Sequence, residues 1–186
     1  MYDGPTTRDE MARYLGEVSR FDHDVGRVMA ELRAQGVLEN TLVIVMSDNG
    51  RPFHGGKQLL YDDGIKTPFI LSWPARIVTG SVRRQLISAV DIAPTLLELA
   101  GLPTLPAMQG VSFAATLADD KIRTRGYVFA ERNWHGANAH ERLVRSLEWA
   151  YKENQYPLHG DCIGNSYAGK PSFREFEQAY ARGELG

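Results

Sequence analysis

An α/β fold is predicted: part of a doubly wound sheet with flanking helices, followed by a small C-terminal α+β portion. Three features of the sequence predict it. An amphipathic helical stripe opens the chain and leads into the apolar run Thr41-Leu42-Val43-Ile44-Val45-Met46. That run stops at Ser47-Asp48-Asn49-Gly50, and a second apolar run, Phe69-Ile70-Leu71-Ser72-Trp73-Pro74, follows a glycine-rich loop. Near-continuous β-branched and apolar character is the pattern of a strand buried on both faces of a parallel sheet. Helix then buried strand is half of a right-handed βαβ unit.

The elements follow in order. Thr7 with Glu10 three residues later forms a capping box. Met11, Tyr14, Leu15, Val18, Phe21, Val25, Val28, Met29 and Leu32 then recur at helical steps as one apolar stripe. Gly36 ends the helix, and Arg33 in its last turn suits the helix dipole. Asp22, His23 and Asp24 read as its solvated face. After the second strand, Gln85 to Val90 is expected to be a strand or an extended lead-in. Asp91 is expected to cap a helix from Ile92 to Ala100, with Pro94 tolerated in its first turn. Gly101 ends that helix and Pro103 prevents its continuation. Ser112, in Gln109-Gly110-Val111-Ser112-Phe113, lacks the Gly-x-Ser-x-Gly elbow of a hydrolase nucleophile and reads as another cap.

Beyond Asp120 the pattern shifts to short strands, which sets the expected boundary between a first portion, 1–120, and a smaller one, 121–186. Tyr127 to Ala130 and Arg142 to Arg145 are expected to pair, with Leu147 to Tyr151 continuing or turning away. Between them Glu131-Arg132-Asn133-Trp134-His135 reads as a polar and aromatic loop at a strand end. A final packing helix begins at Pro171 and carries Phe173, Phe176, Ala179 and Tyr180 on one side.

Composition bounds the function. The chain has 186 residues, 43% hydrophobic and 24% charged, within the ordinary globular range. A net charge of −2 gives no reason to propose nucleic-acid or anionic-membrane binding. One cysteine, Cys162, rules out an internal disulfide framework. No run approaches the roughly 18 apolar residues of a membrane span. Met1-Tyr2-Asp3-Gly4-Pro5 has neither the basic flank nor the apolar region of a signal peptide.

The chemistry concentrates after the first strand. Ligands of open α/β sheets lie outside the carboxyl ends of strands, where Asp48 and Asn49 offer oxygens suited to a hard cation. The same tripeptide is also good Asx-turn chemistry. Lys57, flanked by Gly55-Gly56, suits an oxyanion held between a cation and an ammonium. His54, in the same loop, is a further pocket candidate, whereas Asp62 and Asp63 read as anchors for the loop.

Strand, Asp48-Asn49-Gly50, Lys57, Tyr61-Asp62-Asp63-Gly64-Ile65-Lys66-Thr67-Pro68 and a strand ending in Trp73-Pro74 resemble the sulfatase family of the alkaline phosphatase superfamily. Arg51-Pro52-Phe53 and Ala130-Glu131-Arg132-Asn133-Trp134-His135 are similar to its heparan N-sulfatase, or sulfamidase-like, branch. The resemblance implies an alkaline-phosphatase-like sheet and hydrolysis of a sulfate ester or sulfamate, on a sulfated sugar. It implies a divalent cation, calcium by family expectation, with Asp48 and Asn49 among its ligands, and Lys57 on a sulfate oxygen. His135 is implied as a sugar or sulfate contact near the pocket mouth. A surface loop with Trp134 packed on the sheet is the alternative for that segment.

The resemblance also implies a formylglycine nucleophile made from a Cys/Ser-x-Pro-x-Arg segment in the family's N-terminal half. Cys162, in Gly160-Asp161-Cys162-Ile163-Gly164, has neither the proline nor the arginine in place. The expectation is an internal to C-terminal piece that lacks the nucleophile segment, carries half of the active site and is inactive alone. The missing N-terminal half is then a possible partner, and the family's usual compartments are periplasmic, secreted or lysosomal. Two other readings stay open: a non-catalytic module that binds sulfated glycan or a complementing chain, and a phosphodiesterase or phosphomutase relative.

Overall fold

The computed structural model describes residues 2–134, 138–156 and 169–185. A 30-residue helix, α1 (Pro5–Ala34), leads through a 3-10 turn at Leu38–Asn40 into β1 (Val43–Met46). A long loop containing the one-turn helix α2 (Asp62–Ile65) returns the chain to β2 (Phe69–Ser72). Then come α3 (Ile92–Leu99), α4 (Ala114–Ala118), the strands β3 (Val128–Trp134), β4 (Asn138–Arg145) and β5 (Ala150–Asn154), and α5 (Pro171–Ala181).

Among the described residues the strands form two small sheets, β1-β2 and β3-β4-β5, and every pairing is antiparallel. This corrects the parallel strand expected at Val43–Met46. A parallel neighbour needs a crossover of a dozen or more residues, usually a helix; the 47–68 connection holds only the four residues of α2 and doubles back. Nor is β1 buried on both faces: Met46 is 40% exposed and Ile70 on β2 59%. The apolar run reported a strand correctly, but not what covers it.

Helix α1 forms where the stripe predicts, and Gly36, at φ +71, ends it with Val37 N–H reaching the Leu32 carbonyl at 3.1 Å. The stripe itself is largely open, with Leu15, Val18, Phe21 and Val28 exposed. The Thr7–Glu10 capping box does not form. Gly4 holds the cap position, and the orphan amides of Thr6 and Thr7 donate to Glu175 of α5 at 3.0 and 2.9 Å, joined by the Thr7 hydroxyl at 2.8 Å. Glu10 instead accepts from the Ser172 hydroxyl. An acid at a helix N-terminus is the favourable charge there, and α5 supplies it across 168 residues.

Desolvation works against ionisation of Glu175, yet the Thr6 and Thr7 donors hold its carboxyl below the usual range. Glu175→Ala is therefore expected to lower the melting temperature by about 2–4 °C at neutral pH. Because the folded value is depressed, the difference is present above the unfolded value of about 4.3 and disappears as pH falls through the folded one. Melts of both proteins at pH 7 and pH 3 check this; coincident melts at pH 7 would remove the capping role.

Helix α5 buries Phe173 and Ala179 as expected. Phe173 packs with Leu59 and Phe176, and this cluster joins the C-terminal helix to the loop after β1. Asp91 holds the expected N-cap position of α3, but its side chain is used elsewhere. It is fully buried and makes no cap bond to α3; it accepts from Ser88 N–H at 2.9 Å, Val111 N–H at 2.7 Å and Arg125 Nε at 2.6 Å. Gly110 lets that crossing occur, since a Cβ there would lie 1.9 Å from the Val90 carbonyl oxygen. Over the expected Gln85–Val90 no strand forms: 85–88 carry no regular structure, with Ser88 extended, and Ala89–Asp91 form a 3-10 turn into α3. No helix among the described residues is long and apolar enough to cross a membrane.

Candidate active site

The site is a loop, 47–68, closed at its base by Ser47 N–H donating to the Pro68 carbonyl at 3.3 Å. Higher up, Gly50 N–H donates to the Gly64 carbonyl at 3.1 Å, and Lys57 N–H to the Arg51 carbonyl at 2.9 Å. The second bond folds 51–57 into a tight sub-loop, which returns the Lys57 backbone to the segment that follows Asp48 and Asn49. Glycine is required by close approach: a Cβ on Gly50 would lie 1.9 Å from the Asp63 carbonyl oxygen, and one on Gly64 2.1 Å from that of Leu59.

Asp48 is exposed at the carboxyl end of β1, and Asn49 beside it is half-buried. The Asn49 amide nitrogen donates to the Gly50 carbonyl at 3.0 Å, and its side-chain oxygen is an acceptor. A carboxylate and a carboxamide oxygen on adjacent residues suit a hard cation. They supply only part of a shell of six to eight oxygens, and no group of three His, Cys, Asp or Glu suited to a metal occurs among the described residues. The two oxygens fit a hard cation in kind but not in number.

Asp62 and Asp63 are committed elsewhere, in keeping with their expected anchoring role. Arg145 of β4 grips Asp62 with two hydrogen bonds of 3.1 Å, and Arg51 pairs with Asp63. Arg145 holds the Asp62 carboxyl below the usual range. His54 stacks on Phe176 with ring centroids 4.7 Å apart, which makes it part of the junction with α5. His135 and Cys162 lie outside the described residues. The segment before His135 is strand, not loop: β3 continues through Trp134 with an irregularity between Arg132 and Trp134. Trp134 is 68% exposed and so is not packed on the sheet.

One reading of the sequence needs correction by its own letters. The Ser-x-Pro-x-Arg pattern does occur, as Ser72-Trp73-Pro74-Ala75-Arg76. Its placement separates it from the loop. Ser72 pairs with Val43, the first residue of β1, while Asp48 lies beyond the last. At about 3.3 Å per residue the two ends are on the order of 16 Å apart. Trp73 is buried and Arg76 lies over its ring, 4.5 Å from the centroid. The segment is a strand end and turn, and it brings no nucleophile to Asp48.

The residues that pattern reading missed come from the C-terminal sheet. One face of β3-β4-β5 sends a cation from each strand to the loop: Arg132 Nη1 donates to the Gln58 carbonyl at 3.1 Å, Arg145 grips Asp62, and Lys152 Nζ donates to the Tyr61 hydroxyl at 3.1 Å. Arg132 also donates to Glu141 at 2.9 Å, with both side chains buried. A signal existed. Period-two alternation puts Arg132 and Glu141 on the same face as Ala130 and Leu143, where charges of opposite sign imply a buried pair.

Oxygen-bearing side chains at a strand end, followed by a glycine-packed loop that carries a lysine, are set within a mixed α/β fold. Residues 2–102 match the family described as Sulfatase, and residues 53–157 match N-sulphoglucosamine sulphohydrolase, C-terminal. The chain belongs to the sulfatase family. It is 40% identical over 208 aligned positions to the human N-sulphoglucosamine sulphohydrolase, covering 96% of this chain and 41% of that protein. Against an ulvan-active sulfatase of Formosa agariphila identity is 33% over 178 positions, covering 95% of this chain and 29% of the relative. A protein solved in complex with its substrate D-glucosamine-2-N,6-O-disulfate superposes at a TM-score of 0.63 and 23% identity, over 91% of this chain and 38% of that one. That last likeness speaks for the fold alone. The chain thus spans about 30–40% of the length of these relatives.

Proposed function

We propose that this chain supplies the cation-and-lysine half of a sulfatase active site, acting on a sulfated sugar through hydrolysis of a sulfate ester or sulfamate. The observation that carries the reading is the closed loop that ties Lys57 to the segment after Asp48 and Asn49 through the Arg51 carbonyl. Asp48 and the side-chain oxygen of Asn49 would hold a divalent cation of calcium type. Such a cation supplies Lewis-acid polarisation of a sulfate oxygen. The Lys57 ammonium donates to a second sulfate oxygen and stabilises charge developing on the leaving atom. The sugar class is inferred from the names of the sulfohydrolase and ulvan-active relatives.

Hydrolysis of a chromogenic aryl sulfate and of N-sulfated glucosamine, with added calcium, tests the reading. The 186 residues alone are expected to give no turnover, and the same residues joined to the upstream portion of the human relative are expected to hydrolyse at least one substrate. Turnover by the 186 residues alone would overturn the half-site reading, since it requires a nucleophile that the loop does not contain. An aryl phosphate control separates sulfatase from phosphoryl-transfer chemistry: preference for phosphate in the joined protein would favour the latter.

A further inference from the structure

We propose that the buried Arg132–Glu141 pair is a positioning device for Lys57, so that the C-terminal sheet sets the geometry of the anion site. The inference rests on the reading of Lys57 given above. Gln58, the next residue, has φ +79, and it is the sole non-glycine residue of positive φ among those described. A glutamine there adopts a backbone region that L side chains disfavour, and it lacks the local hydrogen bonding by which Asn and Asp tolerate that region. Strained positions persist where the surrounding structure over-determines them.

Here the over-determination is visible on both sides. Lys57 N–H is held by the Arg51 carbonyl at 2.9 Å, and Leu59 N–H by the Gly56 carbonyl at 3.1 Å. Between them, the Gln58 carbonyl is held by Arg132 Nη1 at 3.1 Å. That contact and the Leu59 N–H bond hold the one peptide plane joining Gln58 to Leu59, and the Lys57 N–H bond holds the plane that enters Lys57, so the backbone is constrained on both sides of Lys57. Arg132 is itself fixed, because Glu141, 1% exposed, takes its other terminal nitrogen at 2.9 Å. A planar guanidinium can serve two acceptors in fixed directions at once, which a lysine cannot. The neighbouring contacts from Arg145 and Lys152 reach the side chains of Asp62 and Tyr61, later in the same loop. Of these three cations, Arg132 is the one that donates to the backbone carbonyl of the residue after Lys57.

The test uses the whole 186-residue chain with inorganic sulfate and calcium as probes. Replacing both members of a buried pair with apolar residues of similar volume tends to preserve folding, so Arg132→Met with Glu141→Leu is the main variant. Amide exchange at Lys57 and Leu59 is expected to accelerate about tenfold or more, while amides in β4 and α5 keep their protection. Sulfate affinity is expected to fall several-fold. Arg132→Lys, which keeps a cation beside Glu141, is expected to do the same and carries the test should the double variant not fold. Unchanged exchange at Lys57 and Leu59 would overturn the proposal, and so would equal acceleration throughout β4 and α5, the mark of a stability anchor. Lys57→Ala is run alongside. If it leaves sulfate affinity unchanged, the anion-site reading fails, whereas the exchange data still decide whether Arg132 positions the loop.

Discussion

Replacing Lys57 with alanine is expected to lower kcat by roughly 100- to 1,000-fold in the joined protein, the range seen when one preorganised donor to a developing oxyanion is lost. Lys57→Arg should recover part of that loss, since charge is kept but the reach and geometry change. Asp48→Ala is expected to act differently. It removes an anionic oxygen from an already sparse donor set, so the calcium concentration for half-maximal activity should rise by at least about tenfold. Saturating calcium should restore part of the rate to Asp48→Ala and none to Lys57→Ala. Titrating activity against calcium for the three proteins separates the roles; wild-type kinetics in either alanine variant would sink the assignment of that residue.

Arg125→Met is expected to cost about 3–5 kcal/mol, because it strands the fully buried Asp91 carboxylate without its cation. Asp91 ties three stretches of chain together: its own turn and helix start from Ser88 to Ile92, the segment at Val111, and Arg125 ahead of β3. Burial works to raise its carboxyl, but the Arg125 guanidinium and the Val111 and Ser88 amides together hold it below the usual range. The sign follows from that depression. Its contribution is fully present above the unfolded value of about 3.9 and is lost as pH falls through the lower folded value. Removing Arg125 should therefore both lower stability at neutral pH and move the acid unfolding midpoint upward. Urea unfolding at pH 7 and pH 4 checks both; an unchanged midpoint at pH 7 would show that the cluster is not a tie.

Local signals carried much of this fold. The three- and four-residue spacing from Met11 to Leu32, Gly36 behind it, and Gly101 behind Leu99 located two helices and their ends. The strands at Val43–Met46, Phe69–Ser72 and Val128 onward were likewise legible, and Phe129 faces Val144 as the apolar runs implied. Capping was legible only as a need. Thr7 and Glu10 satisfied the local rule, yet the α1 amides took Glu175, because a carboxylate already positioned by another helix fills the orphan donors equally well.

By itself, the sequence determined where chain direction and chemistry change: helix, strand, Asp48-Asn49-Gly50, the glycine loop and Lys57, which together carry membership in the sulfatase family. Only the tertiary structure decided that β1 runs antiparallel to β2, that Ser72 lies at the opposite end of that pair from Asp48, and that Arg132 holds the backbone beside Lys57. The physical reason is range. Periodicity and turn chemistry act over a few residues and leave a mark at each position. The contacts that aim the loop join residues 74 and 83 apart, and their energy depends on burial and direction, which neither residue carries alone.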